Sequence, residues 1–223
     1  QWAYSLISLT IDEAFPLFCL SHTAGFGVTE KEIGKVLSAC GLLFAVSQVS
    51  IYSFVYGRFG LHGSIKAGTL CSTPMLFLVP ISLLLNRGLI GELRWSTFLF
   101  LAVILAIFRC FSLVFFTSIS VATNRSVSLS NRAAMNGLSM LGGSITKAMG
   151  PVIAGVLMSV SVSWFGTAAA VFSFWVIGIL GAMVAVLTVV SLRDEGTVVV
   201  DNNRETSVQM IEIKQESLSE ELS

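Results

Sequence analysis

Six predominantly apolar runs follow one another along the chain, at about Trp2–Ala24, Ile33–Tyr56, Ile65–Leu85, Trp95–Val121, Ala133–Ser159 and Trp164–Leu192. A helix needs roughly 20 residues to cross a hydrocarbon core about 30 Å thick. The pattern therefore predicts an all-α polytopic membrane bundle of six transmembrane helices over residues 1–192. Polar breaks separate the first runs: TEKE at Thr29–Glu32, YGRFGLHGSIK at Tyr56–Lys66 and NRGLIGELR at Asn86–Arg94. Gly34, Ser38, Gly41 and Ala45 share one face of the second run, a spacing that lets helices approach closely in lipid. Trp2, Trp95 and Trp164 fall at expected helix ends, where amphipathic rings settle at the membrane surface.

Composition agrees with this pattern. Of 223 residues 54% are hydrophobic and 12% charged, against roughly 25% charged in a soluble domain. Eight of the thirteen acidic residues lie beyond Leu192, so residues 193–223 read as a disordered, acidic cytoplasmic tail. No basic cluster points to nucleic acid. Cys19, Cys40, Cys71 and Cys110 sit in apolar runs without paired spacing, so buried free thiols are expected, with no metal site, disulfide framework or cofactor. Lysine and arginine counts favour both ends on the cytoplasmic side: Arg58, Lys66, Arg125, Arg132, Arg193 and Arg204 against Lys31, Lys35, Arg87 and Arg94.

Four charges interrupt the apolar runs: Asp12, Glu13, Arg109 and Lys147. A charge at the centre of a membrane helix costs about 2.5–3.5 kcal/mol on the mildest scale, and such residues normally face a bundle interior and mark an ion or substrate path. All four are expected near the midplane, where two negative and two positive groups would neutralise one another in a shared cavity. A purely structural ion pair is the alternative, although buried pairs stabilise poorly once desolvation is counted. Asn136, Gly143, Lys147, Gly150 and Ala154 share a face of the fifth run, either as a close helix contact or as a cavity lining. Proline removes a helical hydrogen bond, so Pro16 beside the two carboxylates and the Gly150–Pro151 pair beside Lys147 are the expected helix breaks or hinges.

Three stretches resemble the C-terminal six-helix half of a major facilitator superfamily transporter. Tyr56–Lys66 is similar to the superfamily's loop signature; Arg58 and Gly60 match it, while Gly57 stands at the acidic position. The run NRAAMNGLSMLGGSITKAMGPVIAG, Asn131–Gly155, resembles that of the zinc-induced facilitator-like group at Arg132, Ala134, Asn136, Gly137, Lys147, Ala148, Gly150, Pro151 and Gly155. Ala133 and Met135 depart from it. EAFPLF followed by GFGVTEKEIGKVLSACG resembles the same group's first helix of the second half.

The resemblance implies half of a twelve-helix fold, built from 3+3 inverted repeats, whose N-terminal six-helix half is missing from this chain. It implies a secondary transporter of a small organic solute, proton-coupled and akin to drug/proton antiporters, in the plasma or vacuolar membrane. Its partners would be the solute, protons and the bilayer. Glu13 and Lys147 would be the midplane charges, and Arg58, Gly60 and Arg132 a cytoplasmic gate. Arg109 has no family counterpart and rests on the physical argument alone. Residue spacing and resemblance divide over the carboxylates. The stripe Ser5, Ser8, Asp12 and Cys19 turns Asp12 toward a cavity, whereas the resemblance selects Glu13, about 100° around the helix. Glu13 is taken as the coupling residue, and Asp12 is expected to serve substrate or water. A transporter-like sensor or scaffold is the alternative. A membrane enzyme is disfavoured, since His22 and His62 stand near span ends and no nucleophile or metal motif accompanies them.

Overall fold

A computed structural model of the chain describes residues 1–86 and 91–192. The expected tail, 193–223, lies outside the described residues. The chain divides into two compact units, Gln1–Ala185 and Val186–Ser223. Residues 186–192 of the second are helical, and the packing below is that of the first.

The described chain is helical with no strand. Its elements are α1 (Trp2–Leu20), α2 (Glu30–Leu78), the short α3 (Ser82–Leu85), α4 (Trp95–Arg125), α5 (Arg132–Phe165) and α6 from residue 169 to 192. Among the described residues four helical stretches are long and apolar enough to cross a membrane: Trp2–Leu20, Glu30–Leu85, Trp95–Arg125 and Leu129–Leu192.

Two of these stretches fold back on themselves. Within α2 only Gly60 leaves helical geometry, at φ 65° and ψ −168°, a conformation that glycine adopts without a Cβ penalty. Ser47 reaches Cys110 of α4 at 3.3 Å, while Gly68 lies against Phe115 of the same helix. Ser47 and Gly68 would stand about 31 Å apart along a straight helix, yet their contacts on α4 are only about 8 Å apart. The chain therefore reverses at Gly60. The expected polar turn at Tyr56–Lys66 is thus narrower than its sequence suggests, with one residue doing the turning and helix on both sides. The second reversal is at Gly166, φ 52°, and Ser173 Oγ donates to Ser161 Oγ at 2.8 Å across it.

By contrast, the prolines do not break their helices. α1 runs through Pro16 to Leu20, and α5 through Pro151 to Phe165. Proline's fixed φ is compatible with a helix, and packed neighbours tolerate the missing N–H in membrane segments. Neither Pro16 nor Gly150–Pro151 ends its helix; the reversals fall at Gly60 and Gly166, at or next to the expected span boundaries. α1 also ends earlier than the apolar run: Ser21–Val28 forms a loop that tucks Ala24, Phe26 and Val28 inward.

The core draws on every long helix: Ile11, Phe15 and Phe18 of α1, Val36 and Leu76 of α2, Leu101 and Phe108 of α4, Ala154 and Met158 of α5, and Phe174 of α6, with Phe18 and Phe174 edge-on at 5.4 Å. Apolar side chains also face outward, among them Leu42 and Val46, as expected for helices whose surroundings are themselves apolar. At one end of the bundle Gly91 N donates to Phe26 O, bringing the loops after α1 and before α4 together. At the other, Gln1 and Trp2 border a cleft with Thr123 and Met135.

Candidate functional site

Arg109 stands midway along α4 and Asp12 midway along α1. Arg109 Nη2 donates to Asp12 Oδ1 at 2.9 Å, and the two side chains remain 36% and 41% exposed. Among the described residues this is the one ion pair between different helices; the other joins Lys35 to Glu32 one turn away. Both charges are held by neighbours in the sequence that face inward. Ile11, Ala14 and Phe15 seat α1, and Phe108 and Cys110 seat α4, so residues 12 and 109 turn toward the open side.

Glu13 shares the exposed strip of α1 and makes no ion pair among the described residues. Lys147 is exposed on α5 and has no ion-pair partner among the described residues. The register of α1 on α5 explains why. Trp2 packs at Gly142, Ser5 Oγ meets Thr146 Oγ1 at 3.1 Å, and Leu9 lies at Gly150. Lys147 is therefore level with Leu6, some six residues or about 9 Å below Asp12 along the axis. Of the four charges expected at the midplane, the fold joins Asp12 to Arg109 and leaves Glu13 and Lys147 apart.

The polar stripes divide as well. On α5 the face toward α1 is Gly142, Thr146, Gly150, Ala154 and Met158, so Gly150 and Ala154 serve close contact while Asn136 and Lys147 are exposed. A Cβ at Gly142 would overlap the Trp2 indole. On α1, Cys19 is fully buried and Ser5 turns to Thr146, so the stripe Ser5, Ser8, Asp12 and Cys19 does not form one cavity face. On α2, Gly34, Ser38 and Ala45 are exposed rather than packed, because Ile33, Val36 and Cys40 face the interior. Cys71 is exposed, unlike the other three free thiols. Arg58 and Arg132 are exposed at the bundle end that carries Gly60, neither in an ion pair among the described residues.

A second polar contact between α1 and α4 is absent from the charge pattern. The Tyr4 hydroxyl lies 2.6 Å from Ser72 Oγ and 2.9 Å from Ser112 Oγ, with Tyr4 1% exposed. Three helix segments meet there. Ser72 also donates to Gly68 O at 2.7 Å, so the node is saturated. The available signal was a tyrosine and two serines inside apolar helices, residues that hydrogen-bond across helices in lipid. Among the described residues no group of three His, Cys, Asp or Glu converges to hold a metal ion.

Comparison with known proteins identifies the family. The family model of the Major Facilitator Superfamily matches residues 3–220. A protein of Arabidopsis thaliana named as a probable peptide/nitrate transporter is 28% identical over 158 residues, covering 70% of this chain and 31% of its own length. A protein of Aspergillus fumigatus named as a major facilitator superfamily multidrug transporter is 25% identical over 172 residues, covering 70% of this chain and 28% of its own. The chain thus spans about a third of the length of these curated relatives. No solved structure matches.

Proposed function

The chain belongs to the Major Facilitator Superfamily, and on that premise we propose that it is the second half of a proton-coupled secondary transporter of small organic solutes. It is an integral membrane protein by family and by its long apolar helices. Family membership and relatives named as transporters argue against a membrane enzyme. In this reading the hairpins at Gly60 and Gly166 divide the bundle into six crossing segments, arranged as 3+3 inverted repeats that rock against another half. The run around Lys147 supports a narrower placement near the zinc-induced facilitator-like group.

The observation that carries the proposal is the Arg109–Asp12 pair, a charge-assisted hydrogen bond open to one side between the middles of two helices. Protonation of Asp12 removes the negative charge that holds Arg109 and frees the guanidinium for a solute or another carboxylate. Loss of that contact changes the relative stability of the inward-open and outward-open states, which is all that coupling requires. Glu13, one residue further and unpaired, is a carboxylate available to Arg109 when Asp12 is neutral. Lys147 offers a second cation lower in the same bundle. Arg58, Gly60 and Arg132 would form the gate at the end where α2 reverses.

Reconstitution in liposomes under an imposed pH gradient tests this, with proton movement followed on adding peptides, nitrate and drug-like organic cations in turn. Asp12→Asn is expected to abolish proton-driven accumulation while preserving solute exchange, and Glu13→Gln to retain coupling. The reverse result would return the coupling role to Glu13. Binding without exchange in the unaltered protein would favour a sensor.

A further inference from the structure

The two partners of the Arg109–Asp12 pair are not equivalent. A proton can neutralise the carboxylate, whereas the guanidinium stays charged at any pH a protein meets. Opening the pair by protonating Asp12 therefore leaves Arg109 as a cation without its anion, between two apolar helices. Such a charge is costly until something negative takes it. The groups near the pair are few. They are Glu13 on α1, Cys40 on α2, which lies within electrostatic reach of both partners, and Cys110 on α4, whose thiol rests against Ser47 Oγ at 3.3 Å. Lys147 of α5 lies about 9 Å lower, and α6 has no titratable side chain over 169–192. The thiols are uncharged at about pH 7 and below. Among the described residues Glu13 is then the one remaining anion at this level, and a Glu13–Arg109 pair would reseal the site with nothing bound. With Asp12, Glu13, Arg109 and Lys147 all ionised the set is neutral, and a proton on Asp12 leaves it with one positive charge in excess.

We propose, resting on the reading of Asp12 as the coupling carboxylate, that the solute is a small organic monoanion, a carboxylate or sulfonate, carried together with one proton. The proton goes to Asp12, the Asp12–Arg109 hydrogen bond breaks, and two oxygens of the solute take the planar guanidinium fork, which matches such a pair of acceptors. Proton and anion enter together and leave together, after which Asp12 and Arg109 rejoin, so no net charge crosses. Glu13 competes with the solute for the same donors and sets affinity rather than coupling. An organic cation fits the site less well: it would pair with ionised Asp12, force Arg109 onto Glu13, and leave the four charges with one positive charge in excess. A neutral solute would leave Arg109 without an anion once Asp12 is protonated.

The test is calorimetric titration of the full chain in detergent with benzenesulfonate, whose own charge is fixed, so that pH acts on the protein alone. Binding is expected to weaken by about tenfold per pH unit between about pH 5 and 7, with one proton taken up per anion. Asp12→Asn should bind at about pH 7 as tightly as the unaltered protein does at about pH 5 and lose the pH dependence, a gain that misfolding cannot imitate. Glu13→Gln should tighten binding about threefold to tenfold and keep the pH dependence, while Arg109→Gln should abolish it. Benzenesulfonate binding that is absent, or equal at the two pH values, would overturn the proposal. So would binding of trimethylanilinium that strengthens as pH rises, which would assign the site to a cation and leave Asp12 its coupling role. The reading of Asp12 fails separately, if Asp12→Asn retains proton-driven accumulation in liposomes.

Discussion

Tyr4 and Asp12 lie about two turns apart on α1 and both reach α4, yet the two contacts are built in opposite ways. Tyr4 is sealed, neutral and bonded to Ser72 and Ser112 on two helix segments. Asp12 is charged, bonded to Arg109 alone, and two-fifths exposed. A saturated neutral node has nothing to gain from water or from a ligand, so it holds helices in place. A half-exposed ion pair retains free acceptor and donor positions and responds to a proton or a solute. The same helix pair thus contains one fixed point and one point able to change.

This contrast can be broken most severely at the fixed point's own support. A Cβ at Gly68 would come within 2.7 Å of the Phe115 backbone nitrogen and 2.9 Å of the Phe111 carbonyl. Gly68→Ala should therefore lower stability by about 1–3 kcal/mol, read as an earlier thermal unfolding midpoint in detergent. Tyr4→Phe removes the hydroxyl and leaves Ser112 without its partner, with an expected loss of about 0.6–1.7 kcal/mol and solute exchange retained. Asp12→Asn should change stability by less than about 1 kcal/mol because each partner keeps more than a third of its surface open. Its effect belongs to transport. If Asp12→Asn unfolds the protein as strongly as Gly68→Ala, the pair is structural and the contrast fails. The smallest change is expected at Gly34→Ala, a few tenths of a kcal/mol, since its face is open.

Much of the fold was legible because lipid imposes a simple demand: a spanning segment must be long, apolar and internally hydrogen-bonded. The helical class and the tryptophans at helix ends follow from that demand. Helix limits were less legible. The first apolar run includes Ala24, Phe26 and Val28, which the fold buries in a loop rather than a helix. Hydrophobicity reports burial, and a loop folded inward satisfies it as well as a helix does. The reversals at Gly60 and Gly166 fall at or next to the expected span boundaries, and what the sequence left open was how narrow they are, since glycine's left-handed geometry needs no further mark.

For the site, the sequence alone singled out Asp12, Glu13, Arg109 and Lys147, because ionisable residues in apolar runs are costly wherever they point. Which of them meet was decided by tertiary structure. Helical periodicity separates Asp12 from Glu13 by an angle but does not say which angle faces α4. That depends on where Ile11, Phe15 and Phe108 settle in the core. Likewise, the contact between α1 and α5 follows from Gly142 and Gly150 accepting Trp2 and Leu9, and this register alone sets Lys147 about 9 Å below Asp12. The apolar pattern placed the charges in long apolar helices; packing, which acts over a few ångströms between residues about a hundred positions apart, chose the pair.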